Sequence, residues 1–288
     1  MLDEYLRRQD GIITLTQAKR AGLSQDAINR RLRSGHWQRY ARSVYFVADR
    51  QFTDAARVRA AVLAYGPHAC ASGLAAAWWH GLSKFAPETV EVTVPRRSRL
   101  RHLSGTWLRR RDLHPRDIVE RDGLRVTELP LTVVEAAVRR GGGPKLMDKA
   151  LQRHVELPQL WRAHLRNTGR HGSPAARRLL RAAQDGARSK AERILVKLLR
   201  DAGFTGWTTN HPVGGYKVDV AFVSETVAIE VDGWAFHIDS DVFQVDRTRQ
   251  NAIALLGWKV LRFTWLDLTE YPKRVIAEIS AATGQYPG

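Results

Sequence analysis

Asp219, Glu230 and Asp232 are the residues of this 288-residue chain whose types and spacing point most directly to chemistry. They lie in two apolar runs, Val213 to Val223 with Val218-Asp219-Val220 inside it, and Thr226 to Asp232, ending Ile229-Glu230-Val231-Asp232-Gly233. Both runs read as strands, joined by a turn near Ser224-Glu225. Side chains alternate along a strand, so Glu230 and Asp232 project to one face and Asp219 can join them from the neighbouring strand. Three carboxylates in one patch are costly unless a cation sits among them. Hard oxygen donors favour Mg2+ or Mn2+ over zinc. The plainer alternative, acidic strand ends meeting solvent or basic partners, fits poorly with the apolar runs that precede them.

The elements that must position this patch can be read around it. Ser189 to Arg200 predicts a helix with Ile194, Leu195, Leu198 and Leu199 on its apolar face and Gly203 as its stop. Ser189-x-x-Glu192 reads as a capping box, which alone would explain both residues. Beyond the strands come His237, an acidic loop and Asp246-Arg247-Thr248-Arg249, then a helix through Asn251 to Leu256 that stops at Gly257. Trp258 to Thr264 closes the unit as a strand. Each polar residue here has a structural alternative: a lone histidine is by default a satisfied one, and Asp246 and Arg249 can pair along a helix surface.

These segments resemble the restriction-endonuclease-like superfamily, the PD-(D/E)XK nucleases, and among them the very-short-patch-repair endonucleases. The resemblance covers residues 189–268 and rests on Ser189-Lys-Ala-Glu192, Val218-Asp219-Val220, Glu230-Val231-Asp232-Gly233 with His237, and Asp246-Arg-Thr-Arg249 leading to Leu255-Leu-Gly-Trp-Lys-Val-Leu-Arg262. It implies a metal held by Asp219 and Glu230, with Asp232 as a third ligand or a water-orienting group and Glu192 and Asp246 completing the catalytic set. The superfamily usually carries lysine two residues after the glutamate, where this chain has Asp232; repair-type relatives use histidine instead, which makes His237 the substitute. His237 would then assist the attacking water or protonate the leaving oxygen, with Asp246 orienting its ring. Arg249 and Arg262 would hold the scissile phosphate.

The rest of the chain differs in charge. Residues 1–188 hold 35 Lys and Arg against 17 Asp and Glu, while residues 189–288 hold 11 against 12, within a total of +17. Such a split suggests one half that grips a polyanion, with double-stranded DNA favoured over anionic membrane because no long basic amphipathic helix stands out. In the first fifty residues, Thr16 is a candidate cap for one short helix and Ser24 for a second, over Gln25 to Ser34, with Gly22 between them. Trp37 to Val47 is aromatic and β-branched with basic residues interleaved, as suits a wing. Arg30, Arg31, Arg33, Arg39 and Arg42 are the candidate DNA contacts. The run from Gly11 to Val47 resembles the winged-helix domain of AbiEi-type antitoxins, which implies DNA binding without implying that a toxin partner exists.

Between these ends, Asp54 to Leu82 predicts two helices with Trp78, Trp79 and His80 in the core, and Glu88 to Pro95 predicts a strand. The clusters Arg96 to His102 and Arg109-Arg110-Arg111 read as solvated loops or phosphate contacts. The expected organisation is a winged helix-turn-helix domain (1–50), a mixed α/β middle domain (51–145), a helical linker (146–188) and a restriction-endonuclease-like α/β domain (189–288), an α/β and α+β multidomain chain. One cysteine, Cys70, excludes a disulfide framework and cysteine-rich zinc sites. No secretory leader or spanning segment is expected, which predicts a soluble, cytoplasmic protein, and a homodimer is compatible with it. The reading is a Mg2+- or Mn2+-dependent DNA endonuclease brought to DNA by its basic half. The alternative is a DNA-binding regulator or antitoxin whose nuclease-like domain is inactive.

Overall fold

The computed structural model describes residues 1–232 and 240–286, and of residues 232 and 240–246 the backbone alone. The chain forms two compact units, Met1–Arg177 and Arg178–Gly288. Among the described residues no helix is long and apolar enough to cross a membrane.

The first unit opens with α1 (Leu2–Arg8), β1 (Ile12–Thr14), α2 (Leu15–Arg20), α3 (Gln25–Arg33), β2 (Trp37–Ala41) and β3 (Val44–Val47). Two short helices joined through Gly22 are followed by a hairpin, and the three strands pair antiparallel in the order β1-β3-β2. Ser24 caps α3 as expected, accepting a bond from the Ala27 amide at 3.1 Å. The cap of α2 is Thr14 rather than Thr16. Thr14 has Gln17 three residues on, and the two form a reciprocal capping box that places Thr16 inside the helix. Ile13, Ala18, Ile28, Trp37 and Tyr45 make the core of this part.

The same unit continues through α4 (Asp54–Leu63), β4 (Cys70–Ala71), α5 (Gly73–Trp79), β5 (Val90–Val94), β6 (Thr106–Arg110), β7 (Ile118–Arg121), β8 (Leu124–Thr127), α6 (Leu129–Ala136), α7 (Pro144–Arg153) and α8 (Leu157–Arg166). Its five strands run in the order β6-β5-β4-β8-β7, with β5/β6 and β4/β8 parallel. His80 is buried as expected, its Nε2 lying 2.8 Å from the Thr127 carbonyl.

Of the Arg109–Arg111 run only Arg110 is exposed. Arg109 and Arg111 point inward, only 11% and 13% exposed, toward two buried acids on opposite elements. Glu91 of β5 meets Arg109 Nη1 at 2.9 Å and Arg139 Nε at 2.8 Å, and Glu135 of α6 pairs with Arg111 and lies 3.6 Å from Arg170 Nε. Burial would raise the Glu91 carboxyl, but the bonded Arg139 and Arg109 outweigh it and hold it below the usual glutamate range. Arg170 is pushed down to about 10, by burial first and by the neighbouring guanidiniums against Glu135. Gly73 fits this arrangement: its φ is +55°, and a Cβ there would stand 2.4 Å from Glu91 Oε2.

His164 of α8 is fully buried, and burial first, with Arg170 and Arg177 adding to it, pushes its pKa to about 4 from an ordinary 6.5. The unfolded chain therefore takes up a proton on this histidine between pH 6.5 and 4 while the folded one does not. Its contribution to stability is full above pH 6.5 and is lost as the pH falls toward 4. Urea melts of the wild type across that window should slope downward with acid, and a His164→Gln variant should show a shallower slope; parallel slopes would refute the assignment.

The long helix α9 (Ser173–Asp201, 29 residues) carries the chain from the first unit into the second. It corrects the capping-box reading, because Ser189 lies well inside an unbroken helix. The second unit continues with β9 (Trp207–Val213), β10 (Tyr216–Phe222), β11 (Val227–Asp232), α10 (Ser240–Leu255), β12 (Lys259–Thr264), α11 (Trp265–Glu270) and α12 (Pro272–Thr283). The strand expected over 213–223 is β10, with Val213 ending β9 across the turn at Gly214-Gly215, both at positive φ, and α11 and α12 extend the unit past the closing strand. The sheet order is β12-β11-β10-β9, with α10 as the crossover between the parallel pair β11/β12. Leu195, Leu199, Phe222, Ile229, Phe263 and Val275 fill the core on one face.

Candidate active site

Strand pairing builds the site. The β10/β11 ladder runs from Phe222↔Val227 to Val220↔Ile229, and one further step of that register sets Asp219 beside Glu230. The Asp219 carboxylate takes a bond from a strand amide at this point, its Oδ2 accepting from the Val231 N–H at 2.8 Å. Val227, Ile229 and Val231 enter the core, so alternation turns Glu230 to the opposite face. Asp219 and Glu230 are both buried, 8% and 7% exposed.

Two buried carboxylates side by side need compensating charge, and arginines from both flanking helices provide it. Arg188 of α9 donates through Nη2 to Asp219 Oδ1 at 2.6 Å and through Nε to Glu192 at 3.1 Å. Arg249 of α10 donates through one nitrogen to Glu230 Oε1 at 2.5 Å and to the Lys217 carbonyl at 2.6 Å. Arg262 of β12 lies 3.9 Å from Glu230 Oε2. Burial works against the charge on Arg188, but its bond to Asp219 prevails and strengthens it. Glu192 moves the other way: burial, then the nearby Asp219, raises its carboxyl above the usual range. A recess of about 540 Å³ opens beside these groups, lined by Arg188, Glu192, Tyr216, Lys217, Asp219 and Arg249 among others, and a second of similar volume shares Glu192, Asn210 and Asp219 in its lining.

The structure thus brings together Asp219, Glu230, Glu192, Arg249 and Arg262 of the residues singled out in the sequence. The side chains of Asp232, His237 and Asp246 lie outside the described residues. Among the described residues no three His, Cys, Asp or Glu side chains are grouped to hold a metal ion. Arg188 is the residue of this cluster that sequence reading missed. Its signal was its place four residues before Glu192, one helical turn away on the same face.

Of the candidate DNA contacts, Arg30 and Arg33 are exposed on α3, and Arg42 is exposed in the turn between β2 and β3. Arg39 is exposed on β2 with its guanidinium 5.9 Å from the Tyr45 ring. Arg31 is half-buried, bonded to the Ala27 carbonyl at 3.2 Å and stacked 5.8 Å over Trp37.

Residues 192–282 match the family model of a restriction-endonuclease-like domain, REase_MTES_1575, and residues 1–48 match that of AbiEi_4, a transcriptional regulator described as AbiEi antitoxin. Among solved structures, the catalytic domain of the homing endonuclease I-Bth0305I is similar at 21% identity, covering 33% of this chain and 97% of its own, with a TM-score of 0.29. No curated protein matches the chain.

Proposed function

We propose that this protein is a metal-dependent DNA endonuclease whose basic N-terminal half holds double-stranded DNA. The observation that carries the reading is the buried pair Asp219 and Glu230 beside a recess, within the segment that matches a restriction-endonuclease-like family. The donor set fits a hard cation, since every acidic group in it offers carboxylate oxygen. Asp219 and Glu230 would hold Mg2+ or Mn2+, with Asp232 as a third ligand and Glu192 facing them from α9. A divalent ion bound there supplies an activated water at neutral pH and stabilises charge on the phosphate. Arg188 and Arg249, which neutralise the carboxylates, can exchange them for phosphate oxygens, which guanidinium groups bind with equal geometric fit. Arg262 adds positive charge beside Glu230, and His237, oriented by Asp246, would carry the proton. Arg30, Arg33, Arg39 and Arg42 present exposed charge to DNA, with Arg31 behind them.

A second reading is a DNA-binding regulator whose nuclease-like domain is inactive. It is favoured by the antitoxin match over residues 1–48 and by arginine, rather than a ready ligand cluster, on both described carboxylates.

The deciding experiment incubates the pure protein with supercoiled plasmid and mismatched duplexes in Mg2+, Mn2+ or chelator, and follows its melting temperature with each. Cleavage in metal alone is expected, with a metal-induced rise in melting temperature that Asp219→Ala abolishes. Intact DNA and no thermal shift in either metal would reject the nuclease and leave the regulator.

A further inference from the structure

The edge strand β9 breaks its own regularity at Asn210. The residue stands in the middle of the strand with φ at +53°, in the left-handed region that few side-chain-bearing residues other than asparagine and aspartate enter. Pairing continues on both sides of it, Thr209 opposite Val220 and His211 opposite Val218, so the same register sets Asn210 across from Asp219. Directly opposed residues ordinarily share a face of the sheet, and Asn210 joins Asp219 in the lining of both recesses.

The backbone angle limits the residue types that fit here, but it does not require a carboxamide, since glycine adopts it at less steric cost. Asn210 is exposed, and among the described residues its side chain has no hydrogen-bond partner. Three residues line both recesses: Glu192, Asn210 and Asp219. An ionised carboxylate only accepts hydrogen bonds and repels a phosphate, which also only accepts. Of the three, Asn210 therefore has the side chain that can donate to a phosphate beside Asp219. It does so without charge, so it neither competes with a cation for the carboxylates nor is captured by them as Arg188 and Arg249 are.

We infer that the Asn210 carboxamide holds the DNA strand at the candidate active site, its Nδ2 donating to a phosphate oxygen next to Asp219. This rests on the endonuclease reading, and the test separates the two. Cys70 is the chain's one cysteine and is buried, its thiol kept neutral by a pKa pushed up to about 12, so Asn210→Cys adds the one accessible thiol. The full chain with that change is mixed, in chelator, with duplexes bearing a disulfide tether on one backbone phosphate at successive positions. A covalent adduct that excess unmodified duplex suppresses is expected, and none from the wild type or from Ser224→Cys, a control in the exposed turn between β10 and β11. Asn210→Gly removes the carboxamide and relaxes the backbone. It should keep or raise the melting temperature while raising KM for cleavage in Mg2+ at least about tenfold, as loss of a hydrogen bond to a charged group does. Asn210→Asp, which keeps size and angle but exchanges the donor for a negative charge, should raise KM as much, and it decides the matter if the glycine variant fails to fold. An adduct no greater than the control's, or wild-type KM in a folded glycine or aspartate variant, would overturn the inference. A wild type that cuts DNA in neither metal rejects the endonuclease reading instead, and the adduct then decides alone whether DNA lies against Asn210.

Discussion

His237→Ala is expected to slow DNA cleavage by roughly 10²–10⁴-fold, the usual range for losing a general acid or base. The reasoning joins the sequence to the site. On the resemblance to the PD-(D/E)XK nucleases, Asp232 takes the place of their usual lysine, and no histidine is found among the described residues lining either recess. Of the positive groups lining the first recess, Arg188 and Arg249 are committed to carboxylates. The described group best suited to compete for the role is Glu192, whose carboxyl burial raises. A paired variant separates the two: His237→Ala should remove a titration from the pH–rate profile and leave metal-induced stabilisation intact, while Glu192→Gln should leave that titration in place. Should cleavage survive in a folded His237→Ala and collapse in Glu192→Gln, the proton carrier is Glu192.

Glu135→Ala should be the most damaging single change to the first unit, destabilising it by about 3–5 kcal/mol as removal of one partner from a buried ion cluster does. For a unit of this size that corresponds to a fall in melting temperature of about 6–20 °C. Glu135 is 1% exposed and neighbours Arg111, Arg109 and Arg170; Arg109 keeps Glu91, but the loss of Glu135 leaves Arg111 and Arg170 without their counter-charge. The effect belongs to the loss of one partner, not to the worth of the cluster against an apolar core. Differential scanning calorimetry gives the answer directly, and a shift of under about 2 °C would mean that solvent reaches these arginines. The depressed Glu91 carboxyl adds an acid limit: its contribution is full above its ordinary value of 4.5 and disappears as the pH drops through the lower folded value.

Much of the candidate site was legible because it rests on alternation. Glu230 in Val227-Ala-Ile-Glu-Val-Asp232 could face only away from the core once Val227, Ile229 and Val231 entered it. The helix α10 and strand β12 followed from Gly257 and the apolar runs around it. The partners of the carboxylates were less legible, since an arginine on a basic helix carries no mark of the acid it will meet. Arg188 is one of many charges on a basic helix, and the helix start expected at Ser189 hid that it shares an unbroken helix with Glu192. The buried network was illegible for a related reason. Alternation in Val90-Glu-Val-Thr-Val94 predicts one wet face, yet all five residues are buried because the second face meets Arg109 and Arg139. The parallel register, which pairs Thr93 with Arg109, is a long-range fact that no local pattern contains. Residues 207–213 were missed as a strand because polar Thr208, Thr209 and Asn210 interrupt the apolar pattern in β9, a strand at the sheet's edge.

Gly73 and Glu91 bind each other's evolutionary fates. A methyl group at position 73 would stand 2.4 Å from the Glu91 carboxylate and 2.7 Å from its Cδ, at a backbone angle that already disfavours it. Relatives that retain the acid at 91 should therefore keep glycine at 73. Drift at 73 should become visible only in lineages where the acid was first replaced by a smaller residue and Arg109 and Arg139 had lost their reason to stay.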